Sequence, residues 1–425
     1  MSAPALFLLA ALLVGADGQA EPDSWTRSRT AAEQEAVLEI ASRRYTAPED
    51  SGIPDVWLVG VTHIGNGEYY DSLSSLLSNV DVVLYESVMP AGARPHDADN
   101  DTQRRSSTQD GLELLSSTAS RCGELPGSAE ELAECAGRID LRMGGWIRNA
   151  SVDAWGRPVV FQHHAEDGTL RLVSVAADGQ LETEDDLVVD VRLETGEDDQ
   201  EGPPRNLQAM LADALGLRFQ LESMPYEAIN WRVSDMTIGQ VETAFASRGL
   251  QFDVLGDMLS GASLPAQLIN MMLALIPIGD SLSNGAVSDG IKVVLIELLG
   301  SPGVLNITDQ QFGEGFHEVI VVERNRIPLL DLDRMIEREA TVNSVAILYG
   351  AAHMPDMAQQ LLASGHGYEE AEARWDPAIT VDLARSALSE RDRKSIRRSI
   401  RIALAQLKRQ ARLAREAQDE AGDAD

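Results

Sequence analysis

Three short apolar runs, Asp55–Val61, Val80–Tyr85 and Ser344–Tyr349, constrain this chain more than any other feature. Each has strand length and a near-continuous series of Val, Ile and Leu, the pattern of a strand buried on both faces. A helical pattern over Tyr69–Leu77 separates the first two. Strand, helix and strand at that spacing make a βαβ unit with a parallel pair. The third run lies far downstream and leads into a helical pattern over Met354–Ala363. The expected fold is therefore α/β with a parallel sheet. A polar helix over Thr30–Arg44 is expected ahead of it, then Pro and Gly punctuation from Pro48 to Pro54.

The texture changes between Ala91 and Arg205, where Asp, Glu, Ser and Gly dominate and the strand patterns are short and alternating. A small α+β module over residues 105–200, inserted into a loop of the larger domain, accounts for this, because surface loops tolerate insertions. The main domain then comprises residues 50–95 and 204–375. Within it the stretch Asp253–Leu299 is apolar and helical. Its most apolar part, Leu264–Ile278, is too short to span a bilayer and carries Pro at both ends, so it reads as buried or groove-lining helix. Residues 380–425 form a charged tail in which Ile396, Ile400, Leu404, Leu407 and Leu413 recur at near-helical spacing among Arg and Lys. One amphipathic helix is expected there, packed on the domain or a partner, with peripheral contact to an anionic membrane as the sharper alternative.

The first 20 residues carry an apolar run, Ala5–Val14, and then Gly18-Gln19-Ala20 as a small-x-small cleavage site. That is signal-peptide anatomy without the usual basic start, and it predicts an exported, periplasmic or secreted protein. In an oxidising compartment the two cysteines, Cys122 and Cys135, can close a small loop; two free thiols are the alternative. A formal charge of −33 argues against a nucleic-acid partner, which needs concentrated Lys and Arg.

The chemistry gathers at the ends of the apolar runs. Gly60-Val61-Thr62-His63 closes the first, Tyr85-Glu86 the second and Gly350-Ala351-Ala352-His353 the third. Ligand sites of open α/β sheets lie beyond the carboxyl ends of the strands. Two imidazoles and a carboxylate there are a donor set for a divalent cation that keeps positions open for water. The glycine three residues before each histidine is expected to let the chain turn off its strand. The other histidines, His96, His163, His164, His317 and His366, are expected to be structural or surface residues.

The paired G-x-x-H motifs, the intervening Glu86 and the Glu323-Arg324-Asn325 string ahead of the second motif resemble the TraB/GumN/Tiki family of metal-dependent hydrolases. The stretches 211–220 and 229–236 also look like bacterial members. The resemblance implies a divalent metal (Mn, Co or Zn) at His63, Glu86 and His353, with Arg324 stabilising an oxyanion or holding the substrate. Glu323 is expected to pair with an Arg or to cap structure. Metal-dependent hydrolysis of a peptide or small molecule is the implied activity, of metallopeptidase type. The alternative is a non-catalytic protein that sequesters a peptide or signal, with the insert as its docking module.

The insert has its own resemblance. Asp153-Ala154-Trp155-Gly156-Arg157-Pro158, then Leu172–Gly179 and Thr183-Glu184-Asp185-Asp186, look like the C-terminal region of type II secretion major pseudopilins over residues 111–190. The hydrophobic assembly helix of that family is missing. The resemblance implies calcium held by Asp178, Asp185 and Asp186, hard oxygen ligands on a Gly-containing loop.

Overall fold

The computed structural model describes residues 24–31, 34–94, 100–140, 142–164, 168–193, 207–250, 285–300, 314–398 and 402. The leader, His96, the Leu264–Ile278 run and all of the tail past 398 except Ile402 lie outside the described residues. In chain order the elements are β1 (Thr26–Ala31), β2 (Glu35–Thr46), β3 (Asp55–Val61), β4 (Ile64–Gly65), α1 (Gly67–Leu77), β5 (Val82–Tyr85), α2 (Asp101–Ala119), α3 (Ala129–Ile139) and α4 (Met143–Ala150). Then follow β6 (Val160–His164), β7 (Thr169–Ser174), β8 (Leu187–Val191), α5 (Leu207–Leu215), β9 (Arg218–Phe219), α6 (Gln220–Ser223), β10 (Trp231–Val233) and α7 (Ile238–Ser247). The last part holds α8 (Ala286–Leu299), α9 (Glu314–His317), a π-helix (Glu318–Glu323), α10 (Arg324–Arg338), β11 (Ser344–Gly350), α11 (Met354–Ala363) and β12 (Glu369–Asp382).

The fold is mixed α/β with a central mixed sheet, and the chain divides into two compact units. The first unit comprises Met1–Asp81, Pro203–Met224 and Ala244–Asp425. Its β3 and β11 run parallel, in register from Asp55↔Ser344 to Val61↔Gly350, as the apolar runs predict. β2 is the long strand beside them. One of its edges is shared, antiparallel, by β1 over Glu35–Ile40 and by β3 over Ser42–Tyr45. The other edge pairs along its whole length with β12.

The expected helix over Thr30–Arg44 is thus corrected to strand. The cause is its charged residues, which are not a solvent face. Glu39 is buried and takes Arg27 at 2.7 Å and Arg29 at 3.3 Å across the β1–β2 pair. Arg43, also buried, stacks on Trp25 and reaches Glu370 of β12 at 3.1 Å. With those charges neutralised by neighbouring strands, Val37, Leu38 and Ile40 bury fully, and the segment satisfies its backbone in two ladders.

Towards the C-terminus of this unit, α9, the π-helix and α10 follow one another without a break. Pro328 lies in the second turn of α10, where it offers no N–H to the carbonyl of Arg324. Beyond β12 the chain is helical over 390–398. Arg397 bonds to Glu297 of α8 at 2.5 Å and to Thr30 at 2.7 Å, so this part of the tail packs on its own unit. Among the described residues no helix is long and apolar enough to cross a membrane.

The second unit comprises Val82–Gly202 and Pro225–Thr243. It holds the parallel pair β5–β10 and a separate antiparallel sheet in the order β6-β7-β8. Leu112, Leu115, Leu132, Ile147, Leu170 and Leu172 form the core between α2, α3, α4 and the small sheet. A disulfide joins Cys122 and Cys135 inside that core, tying the end of α2 to α3.

Candidate functional site

The parallel register sets the last residues of β3 and β11 side by side, and the Ala351 N–H continues the ladder to Val61 O at 2.9 Å. The two motif histidines therefore leave neighbouring strand ends. Two buried tyrosines of α1 hold the first of these ends. Tyr69 donates to Gly60 O at 3.2 Å and Tyr70 to Thr62 O at 2.9 Å. Burial, then the Asp376 carboxylate, pushes the Tyr69 hydroxyl pKa well up, so it stays a donor.

The role expected of the motif glycines is corrected. Gly60 lies within β3 and Gly350 ends β11, and neither has a positive φ. A Cβ on Gly60 would stand 3.0 Å from Ala41 O and 3.1 Å from the Ile40 side chain. The glycine lets β2 and β3 approach; it does not turn the chain.

His63 is half-buried, and its Nδ1 lies 2.9 Å from Gln220 Oε1. The Gln220 backbone N–H returns a bond to His63 O at 2.8 Å. Gln220 comes from far along the chain, and the short β4–β9 pairing, Ile64↔Phe219 and Gly65↔Arg218, delivers it.

His353 is buried at the start of α11, edge-on to the Tyr349 ring. Its Nδ1 lies 2.7 Å from Oδ1 of the fully buried Asn325. The Asn325 Nδ2 donates to His353 O at 3.0 Å and to Asp356 Oδ2 at 2.7 Å. Gln360, one turn along α11, also donates to Asp356 Oδ2, at 2.6 Å. Both motif histidines thus present Nδ1 to a side-chain amide oxygen. Gln220, Asn325, Asp356 and Gln360 were not expected in these roles. The one local signal was Asn325 itself, a poor residue for a helix interior unless its side chain is needed.

Arg324 is buried at the first residue of α10. Glu323 pairs with Arg248 at 2.5 Å, in keeping with the expected ion pair. Glu86 follows β5 in the second unit and is half-buried. Among the described residues no three His, Cys, Asp or Glu side chains stand together as a metal-binding group. The donor chemistry of the two histidines nevertheless fits a cation, since metal-bound imidazoles are commonly held by a hydrogen bond at the other ring nitrogen. Of the remaining histidines, His163 bonds Pro126 O at 3.1 Å, His366 bonds Asp333 at 2.8 Å and His164 is exposed.

In the second unit, Asp153 and Arg157 shape the acidic loop. The buried Asp153 carboxylate accepts from the Trp155 and Arg157 N–H groups at 3.0 and 2.8 Å and from Ser174 at 2.7 Å. The Arg157 guanidinium then holds the carbonyls of Ala176 and Ala177. Asp185 Oδ2 accepts from the Ala177 and Asp178 N–H groups at 2.9 and 3.2 Å, and its Oδ1 meets Arg105 at 2.7 Å. The Asp178 backbone bond first, with Arg105 assisting, holds the Asp185 pKa below the ordinary carboxylate value. Asp178 Oδ1 accepts from the Gln180 N–H at 2.9 Å. Asp186 Oδ2 accepts from the Glu182 N–H at 2.8 Å, whereas its Oδ1 is shut off from solvent with no hydrogen-bond partner among the described residues. That orphaned oxygen suits a cation, while Asp185 is already committed to a guanidinium.

No protein-family model matches the chain, and neither a curated protein nor a solved structure matches it.

Proposed function

We propose that this chain is a metal-dependent hydrolase of the TraB/GumN/Tiki type, acting outside the cytoplasm, with peptide bonds as the first substrate class to assay. The observation that carries the proposal is the matched support of His63 and His353 through Nδ1 at adjacent strand ends. Such support directs Nε2 at a cation and fixes the ring plane. His63, Glu86 and His353 would hold a divalent ion (Mn, Co or Zn). When bound, the ion lowers the pKa of a water and polarises a carbonyl. Arg324, charged at any working pH, would neutralise negative charge developing on the substrate. Calcium at Asp178, Asp185 and Asp186 belongs to the same proposal and is supported by the orphaned Asp186 oxygen. The insert would serve as a docking surface for a protein partner, with peripheral membrane contact of the C-terminal segment as the alternative to its packing on the domain or a partner.

The test is elemental analysis and peptide-library turnover of the full chain after Mn²⁺ or Co²⁺ loading. His63→Ala and His353→Ala are each expected to lose stoichiometric metal while remaining folded. Full metal content in both variants would place the ion elsewhere. Tight peptide retention without turnover would favour the sequestering alternative. For calcium, the melting point with EDTA and with millimolar Ca²⁺ should differ in the wild type. It should not differ in the Asp185→Asn/Asp186→Asn double variant.

A further inference from the structure

We infer that Asn325 is a positioning residue that holds His353 as its Nδ1–H tautomer and so presents Nε2 as the basic nitrogen. The orientation of the Asn325 amide is fixed by what surrounds it. One end faces His353 O at 3.0 Å and Asp356 Oδ2 at 2.7 Å. A carbonyl and a carboxylate can only accept, so the NH₂ must lie on that side. The amide oxygen then faces His353 Nδ1 at 2.7 Å. An amide oxygen can only accept as well, so Nδ1 must carry the proton, and in the neutral ring the lone pair falls on Nε2.

Each link in this chain is itself held. Asn325 is fully buried. Asp356 is anchored by Gln360 at 2.6 Å, and Gln360 also reaches Val322 O at 3.4 Å. The His353 carbonyl is engaged by the Met357 N–H at 3.0 Å as well as by Asn325. The neutral histidine side chain in water prefers its proton on Nε2, so the clasp works against the intrinsic preference of the ring. A residue whose task was only to fill space would need none of this polarity.

The tautomer stands independently of the hydrolase proposal; its use in metal binding rests on that proposal, and two measurements keep them apart. The first is long-range ¹H–¹⁵N correlation of the histidine rings in the metal-free full chain. In the wild type, His353 Nδ1 is expected to resonate as the protonated nitrogen and Nε2 as the unprotonated one. Asn325→Ala should move the population towards Nε2–H. The double exchange Asn325→Asp/Asp356→Asn keeps an acceptor against Nδ1 and a donor between the two side chains, so it should restore Nδ1–H. A wild type in the Nε2–H form, or an Asn325→Ala variant that keeps Nδ1–H, would overturn the inference. So would a folded double variant that fails to keep it, which guards against Asn325→Ala simply not folding. The second measurement is Mn²⁺ or Co²⁺ affinity, expected to fall about 10–100-fold in Asn325→Ala and to recover in the double variant. If the tautomers behave as stated and no variant, nor the wild type, binds either ion, Asn325 keeps its positioning role and the metal proposal fails.

Discussion

Reducing the Cys122–Cys135 bond perturbs the second unit in a way whose size follows from the structure. The bridge spans a sequence separation of 13. Closing a loop of that length removes unfolded-state entropy worth about 3 kcal/mol. Both sulfurs lie in the core beside Leu112, Leu115 and Leu132, so the reduced thiols remain buried as small hydrophobes and little packing is lost. Reduction therefore isolates the loop term, whereas Cys122→Ala/Cys135→Ala adds a cavity to it. For a unit of this size about 3 kcal/mol corresponds to roughly 10 °C in melting temperature. In a multi-unit chain one global melting point mixes several transitions, so the better assay is hydrogen exchange read peptide by peptide. Peptides from α2, α3 and β7 should exchange about a hundredfold faster after reduction verified by mass. Peptides from β2 and β3 in the first unit should not change. Equal protection of α3 in the oxidised and reduced protein would refute the reasoning. It would mean that packing alone restrains the loop in both folded and unfolded states.

Gly60→Ala should cost about 1–3 kcal/mol, because its Cβ meets the Ala41 carbonyl at 3.0 Å within a paired sheet that cannot easily spread. Calorimetry that found no drop in melting temperature would show that β2 and β3 do not need the close approach. Asp81 accepts from the Asn343 N–H at 2.8 Å and from the Ser344 N–H and hydroxyl at 3.0 and 3.2 Å. The Asn343 bond foremost holds its pKa below the ordinary value. A depressed folded pKa gives stability that is full above the unfolded value of about 3.9 and is lost as pH falls through the folded one. Asp81→Asn should therefore melt below the wild type near neutrality, and the two should converge in acid; a constant gap from pH 7 to 2.5 would contradict this.

The sheet-forming runs were legible because burial on both faces leaves a continuous apolar string. Hence β3, β5 and β11 emerge from the sequence alone. β2 did not, since Glu39 and Arg43 read as a wet helix face until their cross-strand partners are known. Those partners, Arg27 and Glu370, lie on other strands that no local pattern links to them. The same limit applies to the histidines. The motifs point to His63 and His353, but their supports lie 157 and 28 residues away, on α6 and α10. Gly60 was misjudged for a related reason. A glycine at the end of a strand suggests a turn, and only the neighbouring strand reveals that it serves a lateral contact.

The π-helix of Glu318–Glu323 sets the rotational phase between two faces of one rod. On its N-terminal side Phe316 meets Phe245 edge-on at 5.7 Å, and on its C-terminal side Asn325 must point at His353. Each residue of an α-helix advances the azimuth by about 100°. A π segment absorbs an additional residue in its wider turn, so its two flanks keep the relative phase they would have in a regular α-helix one residue shorter. Were Glu318–Glu323 to rewind as α-helix with no residue removed, either Phe316 or Asn325 would swing about a quarter-turn off its partner. Deleting a single residue between 318 and 323 would instead let the rod close into α-helix with both contacts still aimed. The winding of the helix thus absorbs a one-residue difference in the spacing between an aromatic anchor and a histidine clasp.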